Sequence, residues 1–363
     1  MNFSVSLLSF SQISSSPVFA NKNFRISSSF FSKGFSPSFF ENRNFFSFFR
    51  SCRFFWYLNS GIKIEESIGF KMSEHQNYNS VSVLSLVRCS FEKCSSSIGG
   101  GFICVNSGCL MSLEECMFIR CFSTSKSING FREDIGSGSF AAVVKSSILK
   151  KICFLESHGP GNGFVYHSIS SEENSNNQST VFLCGTVLSG SHGCLVDYGN
   201  QHFCYNNGSS NYGVIGSFAT PGSRSSFAHY SFATIYNNSN SQSCFGLGTY
   251  YSSSAYAGYF NIVNNFPSKS IFNTWGSYTL FSSYFKNSTP NINEQMSGSM
   301  TLNSCYSDTT FKSASITQCY SNIVQMTTYN IEIFDHCKAT FITYGILKRR
   351  FIPILLLSHV LAY

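Results

Sequence analysis

Charged residues are scarce in this sequence. Asp, Glu, Lys and Arg make up 11% of the 363 residues, whereas an ordinary soluble domain carries about 25%. Ser, Asn, Thr and Tyr must therefore solvate most of the surface. The net charge is +7, but residues 1–72 alone contain eight basic and three acidic residues. The repeat region has no basic cluster that could track phosphates, which argues against a nucleic-acid partner.

Aspartate is especially rare. The chain has Asp134, Asp197, Asp308 and Asp335, and the only carboxylate between Asp197 and Asp308 is Glu294. Glycoside hydrolysis needs two carboxylates that flank one bond, and calcium-assisted elimination needs a cluster of carboxylates to hold the ion. The long middle section can assemble neither set. We therefore predict no catalytic, cofactor-binding or metal-binding residues.

Cysteine, by contrast, is abundant. Fifteen cysteines are a heavy load for a reducing compartment and a moderate one for a secreted protein. Asn-x-Ser/Thr sequons at Asn177, Asn207, Asn237 and Asn287 lie in turn-like segments, where a glycan would be tolerated. Both features favour a secreted or cell-surface location.

A short motif recurs along the chain. It reads Cys89-Ser-Phe91-Glu-Lys-Cys94 and then, 27 residues later, Cys116-Met-Phe118-Ile-Arg-Cys121. Weaker copies begin at Phe154, Phe203, Thr234, Asn261 and Tyr284. The flanking residues alternate with the period of 2 that is typical of strands, and no stretch has a helical stripe. Such a repeated unit predicts a solenoid, because one unit can bury its apolar face only against its neighbours.

The repeats predict an all-β fold, a right-handed parallel β-helix of about ten coils over residues 79–344. An offset of 27 residues aligns Leu110 with Val83, and the mismatch at Glu114 predicts a corner there. We expect the polar residues 170–180 to form a loop outside the stack. Residues 1–78 are a Phe- and Ser-rich leader, interpreted as a secretory signal or as irregular capping strands.

Residues 345–363 form an apolar tail. Its apolar run, residues 351–363, contains 13 residues, whereas a membrane-spanning helix needs about 20. The apolar run is therefore too short for a full membrane anchor. A last strand of the solenoid is at least as compatible with it.

Recurrent cysteines and asparagines predict columns of side chains on neighbouring rungs. Cys89 would lie next to Cys116, and Cys94 next to Cys121, about 4.8 Å apart. That spacing suits disulfides or the packing of small thiols, and zinc is a third alternative. Asn tolerates left-handed turns and can bond to an Asn above or below it, so we expect it to replace Cys94 and Cys121 in later coils. The predicted structural columns comprise Cys89, Cys94, Cys116, Cys121, Asn206, Asn237, Asn264 and Asn287.

Four tyrosines form a candidate aromatic binding face: Tyr250, Tyr251, Tyr256 and Tyr259. An exposed aromatic row on a flat β-face is suited to stacking on sugars or to contacting a protein. Aromatic residues stacked inside a solenoid have the same sequence pattern, so a core role is the alternative interpretation.

The sequence resembles the pectin-lyase-like right-handed parallel β-helix proteins, and most of all the uncharacterised surface proteins of this type in trichomonad protists. The matching residues are Cys89 to Cys94 followed by Gly99-Gly100-Gly101-Phe102, and Cys116 to Cys121. The resemblance implies a right-handed β-helix that is secreted or exposed at the cell surface. It implies no activity, because the paired aspartates and the basic catalytic motif of the sugar-cleaving members are absent.

We therefore expect a non-catalytic secreted or surface-exposed β-helix that serves in adhesion or ligand presentation. Its expected partners are glycans or host or cell-surface proteins. The alternative is a polysaccharide-active enzyme of the same fold, a lyase or glycoside hydrolase, in which Asp197 or Asp308 would contribute to the site.

Overall fold

A computed structural model describes much of the chain from residue 3 to residue 320, together with Cys337. The described ranges are 3–7, 9–12, 18–19, 24–34, 39–41, 46–58, 61–65, 82–96, 99–124, 137–159, 164–185, 192–197, 199–213, 215–221, 227–238, 240–241, 243–248, 255–275, 277–291, 293–297, 300–308, 311, 315–316, 319–320 and 337.

Strands make up nearly all of the regular structure in these ranges. In chain order the strands before residue 186 are β1 (Phe3–Ser6), β2 (Ser9–Ser11), β3 (Val18–Phe19), β4 (Phe24–Ser27), β5 (Phe30–Gly34), β6 (Phe39–Glu41), β7 (Phe46–Arg50), β8 (Arg53–Tyr57), β9 (Ile62–Glu65), β10 (Ser82–Val87), β11 (Ser90–Glu92), β12 (Ser95–Ser96), β13 (Phe102–Glu114), β14 (Met117–Ile119), β15 (Phe122–Ser123), β16 (Ser137–Lys150), β17 (Cys153–Leu155), β18 (Phe164–Asn177) and β19 (Thr180–Phe182).

The later strands are shorter on average. They are β20 (His192–Asp197), β21 (Asn200–Cys204), β22 (Asn207–Ser209), β23 (Tyr212–Gly213), β24 (Ile215–Pro221), β25 (Ala228–Ser231), β26 (Thr234–Tyr236), β27 (Asn240–Ser241), β28 (Ser243–Gly248), β29 (Ala255–Gly258), β30 (Asn261–Val263), β31 (Ser270–Trp275), β32 (Tyr278–Phe281), β33 (Tyr284–Lys286), β34 (Asn293–Ser297), β35 (Met300–Asn303), β36 (Cys305–Ser307), β37 (Ser315–Ile316) and β38 (Cys319–Tyr320).

These strands stack in parallel as a β-solenoid. A 21-stranded sheet, called sheet 1, and a 13-stranded sheet, called sheet 2, run along it, and two small sheets pair β12 with β15 and β23 with β27. The ten coils expected for residues 79–344 include residues outside the described ranges. The prediction of an all-β parallel solenoid is confirmed.

The register of neighbouring rungs matches the offset read from the sequence. Val83 pairs with Leu110 in sheet 1, and Phe91 pairs with Phe118 in sheet 2. Glu114 ends β13, and Glu115 after it has a φ of 53°. The predicted corner therefore lies at the residue that follows Glu114.

Among the described residues, two left-handed corners flank the sheet 2 strands from β11 to β33. The first corner is the left-handed residue two positions before a sheet 2 strand. The second corner is the left-handed residue at the end of that strand. Positive φ angles occur at Arg88, Glu115, Lys151, Gln178, Tyr205, Phe232, Tyr259 and Ser282 in the first corner, and at Trp56, Lys93, Arg120, Glu156, Leu183, Ser210, Asn237, Asn264 and Asn287 in the second. Non-glycine residues adopt this conformation infrequently, so its recurrence shows that the stacking of rungs imposes it.

A phenylalanine stack fills the interior next to sheet 2. Rings of Phe31, Phe54, Phe91, Phe118 and Phe154 stack on successive rungs with centroid distances of 5.0, 4.8, 5.1 and 5.4 Å. All five side chains are buried. Aromatic pairs of this geometry add to the stabilisation from apolar burial, so the central Phe of the recurring motif is a core residue.

Glycine in the recurring motif permits close contact between rungs. A Cβ atom at Gly101 would lie 2.6 Å from the carbonyl oxygen of Ser139 and 2.9 Å from the ring of Phe118. Any larger residue would therefore push the neighbouring rung away from the phenylalanine stack.

Strands from the first 65 residues belong to the same two sheets. β7 pairs with β10, and β8 pairs with β11, so that Phe54 faces Phe91 in register. β9 pairs with β13. The solenoid therefore extends to the N-terminal side of residue 79, into the Phe- and Ser-rich leader.

The loop predicted for residues 170–180 is wrong. Residues 164–177 form one strand, β18, that pairs with β16. The register of this pairing shifts after Val144 of β16. The amide nitrogen Nδ2 of Asn176 donates to the hydroxyl of Tyr166 at 2.6 Å, and the Ser168 hydroxyl donates to Oδ1 of Asn174 at 3.0 Å. Polar side chains enter the sheet here because they satisfy one another.

Within the described ranges we find no helix whose length and apolarity would suit a membrane crossing. The apolar tail, residues 345–363, lies outside those ranges.

Candidate binding surface

An aromatic ladder occupies the first corner of three successive rungs. Tyr205, Phe232 and Tyr259 have φ angles of 55°, 52° and 59°. The ring of Phe232 lies 4.7 Å from that of Tyr205 and 4.8 Å from that of Tyr259, with interplanar angles of 3° and 7°. Bulky residues in left-handed conformation are uncommon, and here the mutual stacking of the rings accompanies the strain.

A second row of rings adjoins this ladder on the outward side of sheet 1. The Tyr256 ring lies 4.9 Å from the His229 ring and 5.6 Å from the Phe281 ring. His202 lies 5.5 Å from Phe227 between ring centroids. We call the two rows together the aromatic face: Tyr205, Phe232, Tyr259, His202, Phe227, His229, Tyr256 and Phe281.

Glycine makes room within this face. Gly258 lies in the rung between Ser231 and Phe281. A Cβ atom at Gly258 would lie 3.3 Å from the Tyr256 hydroxyl and 3.0 Å from the Phe281 carbonyl oxygen. The missing side chain lets the Tyr256 and Phe281 rings stack across it.

The aromatic face is nearly free of charge. Neither Asp nor Glu occurs from residue 198 to residue 293. Burial lowers the pKa of His229, and the neighbouring His202 lowers it further, so the His229 imidazole is neutral at neutral pH. The face therefore offers ring edges, phenolic hydroxyls and neutral imidazole.

Ring orientation limits how a ligand can use the ladder. Because the three corner rings stack on one another, their flat faces cover each other along the solenoid axis. Tyr205 is nevertheless 45% exposed, and Phe227 is 37% exposed. A partner would meet a row of ring edges at the rung spacing instead of a single flat platform.

Two of the four predicted tyrosines, Tyr256 and Tyr259, lie on the aromatic face. Tyr250 and Tyr251 lie outside the described residues. The prediction missed Tyr205 and Phe232, although a signal was present. Tyr205, Phe232 and Tyr259 are spaced by 27 residues, the same offset as the cysteine motif.

A mixed groove lies along the second corner of the N-terminal rungs. Its volume is about 490 Å³, and it is lined by Trp56, Leu58, Lys93, Ser95, Arg120, Phe122, Glu156 and His158. Arg120 Nε pairs with Glu156 Oε2 at 2.7 Å, and burial lowers the pKa of His158. Unlike the aromatic face, this groove carries charges of both signs.

The predicted cysteine columns lie inside the solenoid as thiols. Cys89 and Cys116 follow the first corner on neighbouring rungs, and Cys94 and Cys121 follow the second corner. All four are free and buried. The Cys116 thiol lies 3.3 Å from the carbonyl oxygen of Leu86 on the preceding rung. Of the three alternatives raised by the sequence, this geometry is that of packing with weak S–H bonds.

Burial also makes these thiols unreactive. Desolvation raises the pKa of the Cys89 and Cys94 thiols well above its ordinary value. A buried protonated thiol is neither a good nucleophile nor a ready metal ligand.

The asparagines differ from the predicted column by one residue. Asn211, Asn238 and Asn265 continue the column of Cys94 and Cys121, whereas Asn237 and Asn264 are the second-corner residues just before them. Asn287 is likewise a corner residue, followed by Ser288 in the inner column. Asn206 belongs to the other inner column, with Cys89 and Cys116. The sequence alignment was therefore wrong for these four asparagines. At Asn237 and Asn264 the error arises because an adjacent Asn-Asn pair hides which of the two points inward.

The inner asparagines form a buried ladder. Nδ2 of Asn238 donates to the carbonyl oxygen of Gly208 at 2.9 Å, and Oδ1 of Asn238 accepts from the backbone N–H of Asn211 at 2.8 Å. The backbone N–H of Asn238 donates in turn to Oδ1 of Asn265 at 2.9 Å. Each amide thus satisfies a donor and an acceptor of the preceding rung, as buried polar groups require.

One disulfide joins distant parts of the chain. Cys153 in β17 is bonded to Cys337, across a sequence separation of 184 residues and a Cα–Cα distance of 5.8 Å. Both residues are buried. The sequence contained no spacing that would identify this pair.

The aspartate named in the enzyme alternative has a structural contact. Asp308 accepts hydrogen bonds from the backbone N–H of Asn287 at 2.8 and 3.0 Å and is exposed. The side chain of Asp197 lies outside the description. Among the described side chains, no three His, Cys, Asp or Glu residues converge as a metal site.

Neither a family model, a curated protein nor a solved structure matches this chain. The fold itself defines it as a parallel β-solenoid protein.

Proposed function

We propose that this protein is a non-catalytic, secreted or surface-exposed β-solenoid that uses its aromatic face for adhesion or ligand presentation. In finer detail, we propose a right-handed pectin-lyase-like β-helix similar to the trichomonad surface proteins. The observation that carries the functional proposal is the uncharged aromatic face on the rungs between His202 and Phe281.

The chemistry of this face favours a glycan or a protein as partner. Tyr and His place polar atoms at the edges of apolar rings, and such amphipathic side chains are frequent at binding surfaces. A ladder that repeats on three successive rungs suits an extended partner with a regular repeat. Glycans have this property, and a protein surface that contacts several rungs is the second candidate.

The Cys153–Cys337 disulfide supports an extracellular location. Disulfides persist in oxidising compartments and are rare where thiols are kept reduced. The buried free thiols elsewhere in the core carry no such information, because small thiols pack equally well in either compartment.

A glycan array and a cell-surface binding assay with the full chain would test the proposal. We expect Phe232→Ser with Tyr259→Ser to abolish the signal, because the substitutions remove two rings of the ladder. The matched control is Glu115→Ser with Lys151→Ser, which changes the same corner on N-terminal rungs. Equal binding by the two double variants would contradict the proposal.

The enzyme alternative makes a different prediction. Incubation with pectins and other polysaccharides would release reducing ends or unsaturated products, and Asp197→Asn or Asp308→Asn would stop the release. We expect no release, because the described rungs between these residues offer no paired carboxylates.

A further inference from the structure

The four glycosylation sequons of the repeat region are not equivalent in the folded chain. Asn237 and Asn287 are second-corner residues whose side chains are exposed. Asn207, at the start of β22, is 5% exposed, and its side-chain oxygen is buried. The side-chain oxygen of Asn177 is buried as well.

The amide nitrogens of the two exposed sites remain usable. Nδ2 of Asn237 donates to the hydroxyl of Ser210 at 3.2 Å, and Nδ2 of Asn287 donates to Oδ1 of Asn264 at 2.9 Å. An amide nitrogen carries two hydrogens. A glycan replaces one of them, so the other can keep the rung-to-rung hydrogen bond.

We propose that Asn237 and Asn287 carry N-linked glycans and that Asn207 does not in the folded protein. The donor would be an oligosaccharide linked to a polyprenyl diphosphate. The amide nitrogen forms a bond to the anomeric carbon and loses a proton, while the bond from that carbon to the diphosphate oxygen breaks and the diphosphate leaves with the electron pair. The proposal rests on the secreted or surface location proposed above.

The positions of the two sites leave the aromatic face uncovered. Asn237 follows β26, whereas Phe232 precedes it, so the glycan and the ladder lie at opposite edges of sheet 2. Asn207 instead lies within sheet 2, beside the buried Thr180 of the preceding rung, and is itself only 5% exposed. A glycan on this side chain has no open path to solvent in the folded chain.

The test uses the full chain, directed into a eukaryotic secretory pathway by an added cleavable signal. Site occupancy on the secreted protein is measured by mass spectrometry after enzymatic glycan removal in heavy-oxygen water. We expect occupancy at Asn237 and Asn287, loss of one glycan in Ser239→Ala and in Thr289→Val, and no change in Asn207→Gln. The matched control Asn264→Gln changes a neighbouring corner Asn that has no sequon, and its glycan count should be unchanged.

Occupied Asn207 in folded secreted protein, or unmodified Asn237, would overturn the proposal. A second arm expresses the chain with its own N-terminus in the same cells. If the added signal gives glycans at both sites but the natural chain is not exported, the surface location fails while the sites stand. If the natural chain is exported without glycans at these positions, the sites fail while the location stands.

Discussion

The rungs before residue 186 and those after residue 199 share a backbone plan but fill it with different side chains. At the first corner the early rungs have an ion-pair chain, in which Glu115 lies 2.7 Å from Arg88 Nε and 3.4 Å from Lys151 Nζ. The later rungs have stacked aromatic rings at the same corner. The left-handed conformation is common to both, so the stacking of rungs fixes the backbone and leaves the outward side chain free to specify the surface.

The inner columns differ in the same way. A cysteine thiol donates a weak hydrogen bond to the preceding rung, as Cys121 does to Phe91 at 3.3 Å. An inner asparagine both donates and accepts, as Asn238 does toward Gly208 and Asn211. The early rungs are therefore stabilised mainly by apolar packing around the phenylalanine stack, and the later rungs by a buried polar ladder as well.

The largest expected effect concerns the disulfide, which joins an early rung to the C-terminal side. Reduction should destabilise the fold by roughly 5 kcal/mol if loop-closure entropy dominates, because the bridge closes a very long loop. Hydrogen exchange should then quicken in β22 and later strands while β10 to β14 stay protected. Cys153→Ser should reproduce the effect and show no further loss on reduction, whereas Cys121→Ser, which keeps the disulfide, should be destabilised by reductant as the natural chain is.

Removing one inner amide should show the difference in stabilisation between the early and the later rungs more clearly. Asn238→Ala leaves the buried N–H of Asn211 and the carbonyl of Gly208 without this partner, which should cost about 3 kcal/mol. Cys121→Ala, at the same column position, loses only a weak bond and a small volume and should cost about 1 kcal/mol. Urea titrations of both variants measure the difference. Equal costs would mean that the asparagine ladder adds nothing beyond packing.

The rung register was predictable because it depends on features that repeat at a constant distance. Cys89 with Cys116 and Phe91 with Phe118 fixed the offset of 27 residues, and the same offset relates Tyr205, Phe232 and Tyr259. The orientation of asparagine was not predictable, since Asn237 and Asn238 are chemically identical and only the left-handed φ of the first decides which side chain is buried. The Cys153–Cys337 pair forms because the folded chain brings Cys337 back to Cys153, and no local spacing in the sequence encodes that contact.

A buried histidine near the boundary between the two halves predicts acid sensitivity. Burial lowers the pKa of His167 to about 3, below its value of about 6.5 in the unfolded chain. The unfolded state thus binds the proton first, so stability is complete above pH 6.5 and falls as the pH drops toward 3. Between pH 7 and pH 5 we expect a loss of about 2 kcal/mol.

Chemical denaturation at both pH values measures this loss. His167→Asn removes the titrating group and should flatten the dependence, although the variant will be less stable at neutral pH. His229→Asn is the matched control, because that residue is only partly buried. An unchanged slope in His167→Asn would show that other groups cause the acid sensitivity.

The smallest expected effect tests the outer surface at the second corner. In the early rungs Arg120 pairs with Glu156 at 2.7 Å, whereas in the later rungs Asn287 donates to Asn264 at 2.9 Å. Partly exposed ion pairs contribute about 0.2 to 1 kcal/mol and are screened by salt, but an amide pair carries no charge to screen. Glu156→Gln should therefore cost less than 1 kcal/mol at low salt and nothing measurable at high salt, while the cost of Asn287→Ala should be the same at both. If high salt also removed the effect of Asn287→Ala, the contrast between a charged and an uncharged half of the solenoid would not extend to its energetics.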